Sequence, residues 1–182
     1  MPKKLRCLLL CEDIEQERLF RPILERCFHR IRVEPRKQHG GATFVLQQVK
    51  RLADWIRKRP QEAVGLLVVI DGDTAGFQRR LQEIAAAAGL TGASWEERIG
   101  RCVPCRSVET WEMWLCGERE LDEQTSYKHD FQRQVEQGEM SARQAAEAWL
   151  DTPPDQQAEE ARLPALALGR KEVARLRDLA KS

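Results

Sequence analysis

The chain has 182 residues, 42% of them hydrophobic, and a formal net charge of +1. That is enough chain for one domain with a single proper core, and no apolar stretch approaches the roughly 20 residues that a membrane-spanning helix needs. The basic opening Met1–Arg6 is followed by an apolar segment that ends at Glu12, too short for a signal peptide, so a cytoplasmic protein with its six cysteines reduced is expected.

Leu5–Cys11 (LRCLLLC) reads as a buried strand. After Glu12 and Asp13, Leu19, Phe20, Ile23, Leu24, Cys27 and Phe28 recur at helical spacing. Pro22 falls inside that pattern, where it kinks the helix or marks its first turns. Ile31–Glu34 is a short strand and Gln38–Gly41 a loop. Thr43 caps a second helix that places Val45, Val49, Leu52 and Ile56 on one face and stops at Pro60. Val64–Ile70 (VGLLVVI) is apolar throughout, as a parallel strand covered on both faces should be, and Asp71-Gly72-Asp73 ends it. Phe77, Leu81, Ile84, Ala85 and Ala88 give a third helix closed by Gly89. Ile99–Cys105 is a fourth strand. Ser107 caps a short helix carrying Val108, Trp111 and Leu115 and closed by Gly117. Helical patterns follow at 122–137, 141–150 and 170–181, with Pro153-Pro154 between the last two. The alternation predicts an α/β fold: a mostly parallel four-stranded sheet flanked by helices, residues 1–117, with a helical C-terminal extension, residues 118–182.

Two buried strands end directly in acids, at Glu12-Asp13 and at Asp71-Gly72-Asp73. If the strands are parallel neighbours, Glu12, Asp71 and Asp73 converge at the carboxyl edge of the sheet, where open α/β folds place their sites. Crowded carboxylates raise one another's pKa. A divalent cation removes that repulsion, and an all-oxygen ligand set with room for water suits Mg²⁺ or Mn²⁺. Gly72 permits the tight turn that lets both aspartates face such an ion. The plainer reading is of polar strand ends and helix caps. Glu109, in Val103-Pro-Cys-Arg-Ser-Val-Glu-Thr-Trp, either joins the site from the first turn of the helix after the fourth strand or is a surface acid near a helix N-terminus.

A Glu ending the first strand and a D-x-D ending a later one resemble the Toprim domain of topoisomerases, bacterial primases, a ribosomal-RNA maturase and the OLD (overcoming lysogenization defect) nucleases. Leu10-Cys-Glu-Asp-Ile-Glu-Gln-Glu-Arg-Leu-Phe-Arg-Pro-Ile-Leu resembles the opening V-E-G-x-T-E-x-x-F-L of the OLD-type and small Toprim-like proteins. Val69-Ile-Asp-Gly-Asp-Thr-Ala-Gly resembles the second motif. Pro104-Cys-Arg-Ser-Val-Glu-Thr-Trp-Glu-Met-Trp-Leu resembles the I-P-x-x-x-x-E-x-W-L segment of compact members found near phage-defence genes. The resemblance spans roughly residues 5–130. It implies a Toprim-like fold and a Mg²⁺- or Mn²⁺-dependent nuclease, with Glu12, Asp71, Asp73, Glu109 and Lys128 as catalytic residues. Glu12, Asp71, Asp73 and Glu109 would hold metal. The motif's usual Gly is Asp13 here and its second acid is Gln16. Glu15 and Glu17 flank that position and either can replace it, with Glu15 the ligand carried forward, or the second metal position is weaker. Lys128, in Tyr127-Lys-His-Asp, stands for the lysine of OLD-type nucleases; a solvated helix lysine is the other reading.

No G-x-x-x-x-G-K-[ST] occurs, so this chain has no P-loop, and the resemblance then implies a separate ATPase subunit and a nuclease role in an antiphage complex. Residues 1–106 carry 20 Lys and Arg against 13 Asp and Glu, and residues 107–182 carry 10 against 16. The basic part is suited to nucleic acid. The acidic tail, with Trp149, Leu150, Leu163, Leu166, Leu168 and Leu176, suggests a partly apolar docking face for a partner. A homo-oligomer stays open. Cys102-x-x-Cys105 lacks the second pair that zinc needs. Two other functions compete. One is a Toprim-fold subunit that binds nucleic acid or scaffolds a partner without catalysis. The other is a phosphotransfer domain, either receiver-like or like the haloacid-dehalogenase phosphatases, whose D-x-D-x-T is imitated by Asp71-Gly-Asp-Thr74.

Overall fold

Four strands, β1 (Arg6–Cys11), β2 (Arg30–Val33), β3 (Val64–Val69) and β4 (Ile99–Cys102), form one sheet in the order β2-β1-β3-β4. Every pair is parallel, with Cys11 level with Val69 and Val69 level with Cys102. The structure, a computed structural model, describes residues 6–35 and 41–179. Leu5, the Gln38–Gly40 loop and residues 180–182 lie outside the described residues. The helices are α1 (Ile14–Cys27), α2 (Gly41–Arg57), α3 (Phe77–Ala88), α4 (Val108–Leu115), α5 (Lys128–Glu136), α6 (Ala142–Asp151), α7 (Gln156–Arg162) and α8 (Pro164–Leu179).

The sheet separates two apolar layers, and the alternation of side chains along each strand assigns residues to them. Cys7, Leu9, Cys11, Leu67 and Val69 face the layer that holds Leu19, Phe20, Trp111 and Trp149 from α1, α4 and α6. Leu8, Leu10, Leu66, Val68 and Ile70 face the layer of Val45, Val49, Leu52 and Ile56 from α2 and Ile84 from α3. Burial on both faces is why β1 and β3 are continuously apolar instead of alternating.

Several local expectations shift. Pro22 sits in the middle of α1, which continues through it; Leu19, Phe20, Ile23 and Leu24 are fully buried there and hold the helix down despite the missing N–H. Thr43 does not cap α2, because that helix already begins at Gly41. β4 stops at Cys102, although Gly72 N still donates to Pro104 O at 2.7 Å beyond the ladder. The helix expected from 122 begins at Lys128, since Asp122 takes the N–H groups of Gln124 (2.8 Å) and Thr125 (2.9 Å) into a turn. The last helix begins earlier than expected, at Pro164, and α7 and a 3-10 turn at Ser94–Arg98 were not anticipated.

Of the residues read as a docking face on the C-terminal segment, Leu150 and Leu168 are half-buried and the other four are in the core. Leu163, Leu166 and Leu176 are fully buried and Trp149 nearly so, in the same core as β1 and β3. Two glycines allow this. A Cβ at Gly100 would stand 2.6 Å from Leu176 Cδ1, and one at Gly169 would stand 2.9 Å from Trp111 Cη2, so α8 lies directly on β4 and the Trp111 ring. Glu123 fastens the arrangement. Its buried carboxylate accepts from Ala165 N (2.9 Å), Leu166 N (3.0 Å), Trp111 Nε1 (3.2 Å) and Cys105 Sγ (3.2 Å). A carboxylate at the N-terminus of α8 satisfies N–H groups that the helix itself cannot, and the same group orients α4.

Candidate functional site

Parallel connectivity brings the N-terminal ends of α1, α3 and α4 to the carboxyl edge of the sheet, beside the ends of β1 and β3. Adjacent parallel strands place the two acidic turns next to each other. Glu12 Oε2 accepts from Asp71 N at 3.3 Å, so the exits of β1 and β3 are joined directly. Asp71 is 2% exposed. Its Oδ1 accepts from Gln16 Nε2 at 3.0 Å, and its Oδ2 is 3.6 Å from Lys128 Nζ. The lysine at the start of α5 thus reaches the site that spacing alone left undecided. Arg80 of α3 donates from Nε to Asp71 O at 3.2 Å.

Gly72 is required by a close approach. A Cβ there would fall 2.3 Å from Cys105 O and 2.9 Å from Pro104 O, both backbone atoms of the neighbouring turn. Gly72→Ala should therefore cost about 1–3 kcal/mol of stability and push apart the turns that carry Asp71 and Glu109. Urea unfolding together with Mn²⁺ titration checks it; an unchanged midpoint and affinity would mean the contact is dispensable. Asp73 has φ of 44°, a left-handed conformation that Asp tolerates better than most non-glycine residues, and its carbonyl accepts from Arg106 Nη1 at 3.0 Å.

Glu109 is buried in the first turn of α4, and its Oε2 has no hydrogen-bond partner among the described residues. Glu112, one turn further on, is fully buried with neither carboxyl oxygen partnered there. Glu15 forms an ion pair with Arg18 on its own helix. Asp13 is the N-cap of α1 and accepts from Gln16 N at 2.9 Å. Gln16 in turn accepts from Glu12 N at 2.9 Å through Oε1.

The acids feel one another. Burial pushes Asp71 well above the usual carboxylate range; Asp13 and Glu109 add to the rise, while Lys128 and the Gln16 amide oppose it. Burial also raises Glu12; its bond to Asp71 N opposes this, and Asp73 and Asp13 reinforce it. Glu112 is driven well up by burial and then by Glu109, Glu15, Asp13 and Asp71. Burial alone would lower the Lys128 ammonium, but Asp71, Glu109, Asp73 and Asp13 together raise it. This is an edge rich in negative charge that takes up positive charge wherever it can.

As the side chains stand, no group of three His, Cys, Asp or Glu among the described residues surrounds a point where a metal ion would sit. Gln16 and Lys128 face the two oxygens of Asp71, and one oxygen of Glu12 is on a backbone N–H. The donors are nevertheless all oxygen, carboxylate-rich and incompletely partnered, which fits a hard divalent cation. Sequence reasoning took Gln16 only for the place of a missing acid and overlooked Glu112, Arg80 and Arg106. Asp13-x-x-Gln16 has the spacing of a helix capping box, and Glu109-x-x-Glu112 the spacing of one helix face. Compared with known proteins, the chain matches no family model, no curated protein and no solved structure.

Proposed function

We propose that this chain is a Mg²⁺- or Mn²⁺-dependent nuclease of Toprim type, cleaving phosphodiester bonds at the carboxyl edge of its sheet. The observation that supports this reading is the joining of two strand ends by acids, Glu12 against the Asp71 backbone at 3.3 Å, with Lys128 3.6 Å from the Asp71 carboxylate. Glu12, Asp71, Asp73 and Glu109 would hold the cation. When bound, such an ion polarises a phosphoryl oxygen and lowers the pKa of water. Lys128 keeps its proton in this field and presents an ammonium for the charge that grows on the phosphate. Arg80 and Arg106, held on the carbonyls of Asp71 and Asp73, place two guanidinium groups where a polyanion would approach. The separate ATPase subunit and the antiphage role rest on the resemblance alone, since Leu163, Leu166 and Leu176, three of the leucines that suggested a docking face, lie in the core.

One observation favours a second reading, a Toprim-fold subunit that binds nucleic acid without cutting it: both oxygens of Asp71 already face protein donors. The deciding experiment incubates the purified chain with plasmid DNA and with labelled RNA in Mg²⁺, in Mn²⁺ and in chelator. Metal-dependent cleavage supports the nuclease. Nucleic-acid binding without cleavage in either metal supports the second reading. Labelling of Asp71 by acetyl phosphate would overturn both in favour of phosphotransfer.

A further inference from the structure

We propose that a groove at the amino-terminal end of the sheet is a second binding site, separate from the acidic edge, for a nucleoside phosphate, whose base lies against Trp55 and whose phosphate lies on the arginines of β1 and β2. The groove has a volume of about 260 Å³, just under the roughly 300–1,000 Å³ of small-molecule pockets, so it suits one nucleotide-sized group and not a folded partner. Arg6 and Val64 open β1 and β3 and stand level with Arg30, the first residue of β2. Glu12 lies past the other end of β1, so roughly 16 Å of strand separates the two sites.

The strand register builds the groove. Residues level with each other on neighbouring strands share a face of the sheet. Arg6, Arg30 and Arg32 therefore stand on the same face as Leu8 and Val64, whose side chains belong to the α2 layer. Leu8 and Val64 give an apolar floor, Trp55 of α2 lines the groove, and the three arginines border it. Arg59, just past α2, braces the indole with its guanidinium 4.7 Å from the ring centroid. Cys7 and Ile31 also line the groove, but their side chains belong to the opposite layer, so main chain is what they present to it. β2 is an edge strand, and Glu34 N donates to Leu9 O at 2.8 Å. Alternation along the strand then turns the N–H and C=O of Ile31 away from β1. An indole beside a free peptide donor and acceptor is what a nucleobase uses, through stacking on its face and hydrogen bonds along its edge.

The charges select the other half of the ligand. Arg6 and Arg30 repel each other across neighbouring strands. Arg6 is offset by Glu62 at 2.9 Å and Arg32 by the buried carboxylate of Glu34 at 3.1 Å, whereas Arg30 forms no ion pair among the described residues. Guanidinium groups take phosphate through paired N–H bonds, and a phosphate here supplies Arg30 with the partner that its neighbours already have.

The test is isothermal titration of the full chain with AMP in chelator, so that no cation bridges the phosphate to the acidic edge. One AMP per chain is expected. Arg30→Ala, an exposed change with no ion pair to lose, should keep the melting temperature and weaken AMP roughly tenfold. Ribose 5-phosphate, which has no base to stack, should bind roughly fivefold to a hundredfold more weakly than AMP. A short 5′-phosphorylated single-stranded oligonucleotide distinguishes the sources of the ligand. Tighter binding than AMP, weakened by the same variant, assigns the groove to the end of a nucleic-acid strand, and weaker binding assigns it to a free nucleotide. No AMP binding, or AMP binding that Arg30→Ala leaves unchanged, would overturn the proposal. Equal affinity for AMP and ribose 5-phosphate would overturn it too, because the groove would then hold a phosphate without reading a base. None of these outcomes depends on a metal at the acidic edge.

Discussion

Asp71→Asn is expected to remove Mn²⁺ binding and metal-dependent cleavage, while the unfolding midpoint stays level or rises. The variant keeps the shape of the side chain and an oxygen to accept from Gln16 Nε2, now 3.0 Å from Asp71 Oδ1. What it loses is the charge. Asp71 is almost completely buried and its carboxyl is pushed well up, first by burial and then by Asp13, with Glu109 adding to it. A group whose folded pKa lies above its unfolded value gives stability that is present below the unfolded pKa and lost as pH rises through the folded one. At neutral pH and above, an ionised Asp71 therefore works against folding, offset in part by Lys128, and Asn escapes that penalty. Function is expected to move the other way. Loss of an outer-shell partner of a metal already costs roughly 10–100-fold in affinity or activity, so removal of a carboxylate proposed as a direct ligand should cost more than that. Isothermal titration with Mn²⁺, cleavage assays and urea unfolding on the same preparation separate the two effects. A variant that loses binding and also unfolds early would mean that Asp71 is a structural acid.

The strand ends show why part of this site was readable from sequence. A wholly apolar run that ends in Asp-Gly-Asp signals both a doubly covered strand and the place where it emerges, because the apolar requirement stops where the sheet stops. Glu12 and Asp71 needed only that rule and parallel pairing to be placed together. Gln16 was not readable in the same way. It looked like a missing acid, and its value lies in hydrogen bonds to residues 4 and 55 positions away in the sequence. The C-terminal segment was misread for a similar reason. Leu163, Leu166 and Leu176 gave a correct apolar pattern, but what covers them depends on Gly100 and Gly169 letting α8 approach β4 and Trp111. Periodicity reports that a face is apolar and carries no information about which surface it meets. Glu123 carried no signal in the sequence, because its four donors come from three separate stretches of chain.

Glu112→Met is expected to stabilise the fold at neutral and alkaline pH, and by more as pH rises. Glu112 is fully buried, neither carboxyl oxygen has a partner among the described residues, and the charges facing it are those of Glu109, Glu15, Asp13 and Asp71. Burial is the first cause of its raised pKa and those four acids add to it, so the native state holds the proton more tightly than the unfolded chain, where a glutamate titrates near 4.3. Between those two pKa values the native state binds more protons, and wild-type stability falls with pH at up to about 1.4 kcal/mol per unit for this one group. Methionine has nearly the same length and nothing to ionise. Even buried ion pairs, whose charges offset each other, are often replaced by apolar groups of similar volume at no cost or with a gain of about 1–4 kcal/mol, and Glu112 faces only other acids. Glu112→Gln should flatten the pH profile as well but gain less, because its amide still needs partners. Chemical unfolding of the three proteins across the range from acid to mildly alkaline pH gives the comparison, with the difference smallest at the acid end. If Glu112→Met is instead less stable throughout and also loses Mn²⁺, then Glu112 is neutralised in the native protein by a cation and not by a proton, and it belongs with Glu109 among the ligands.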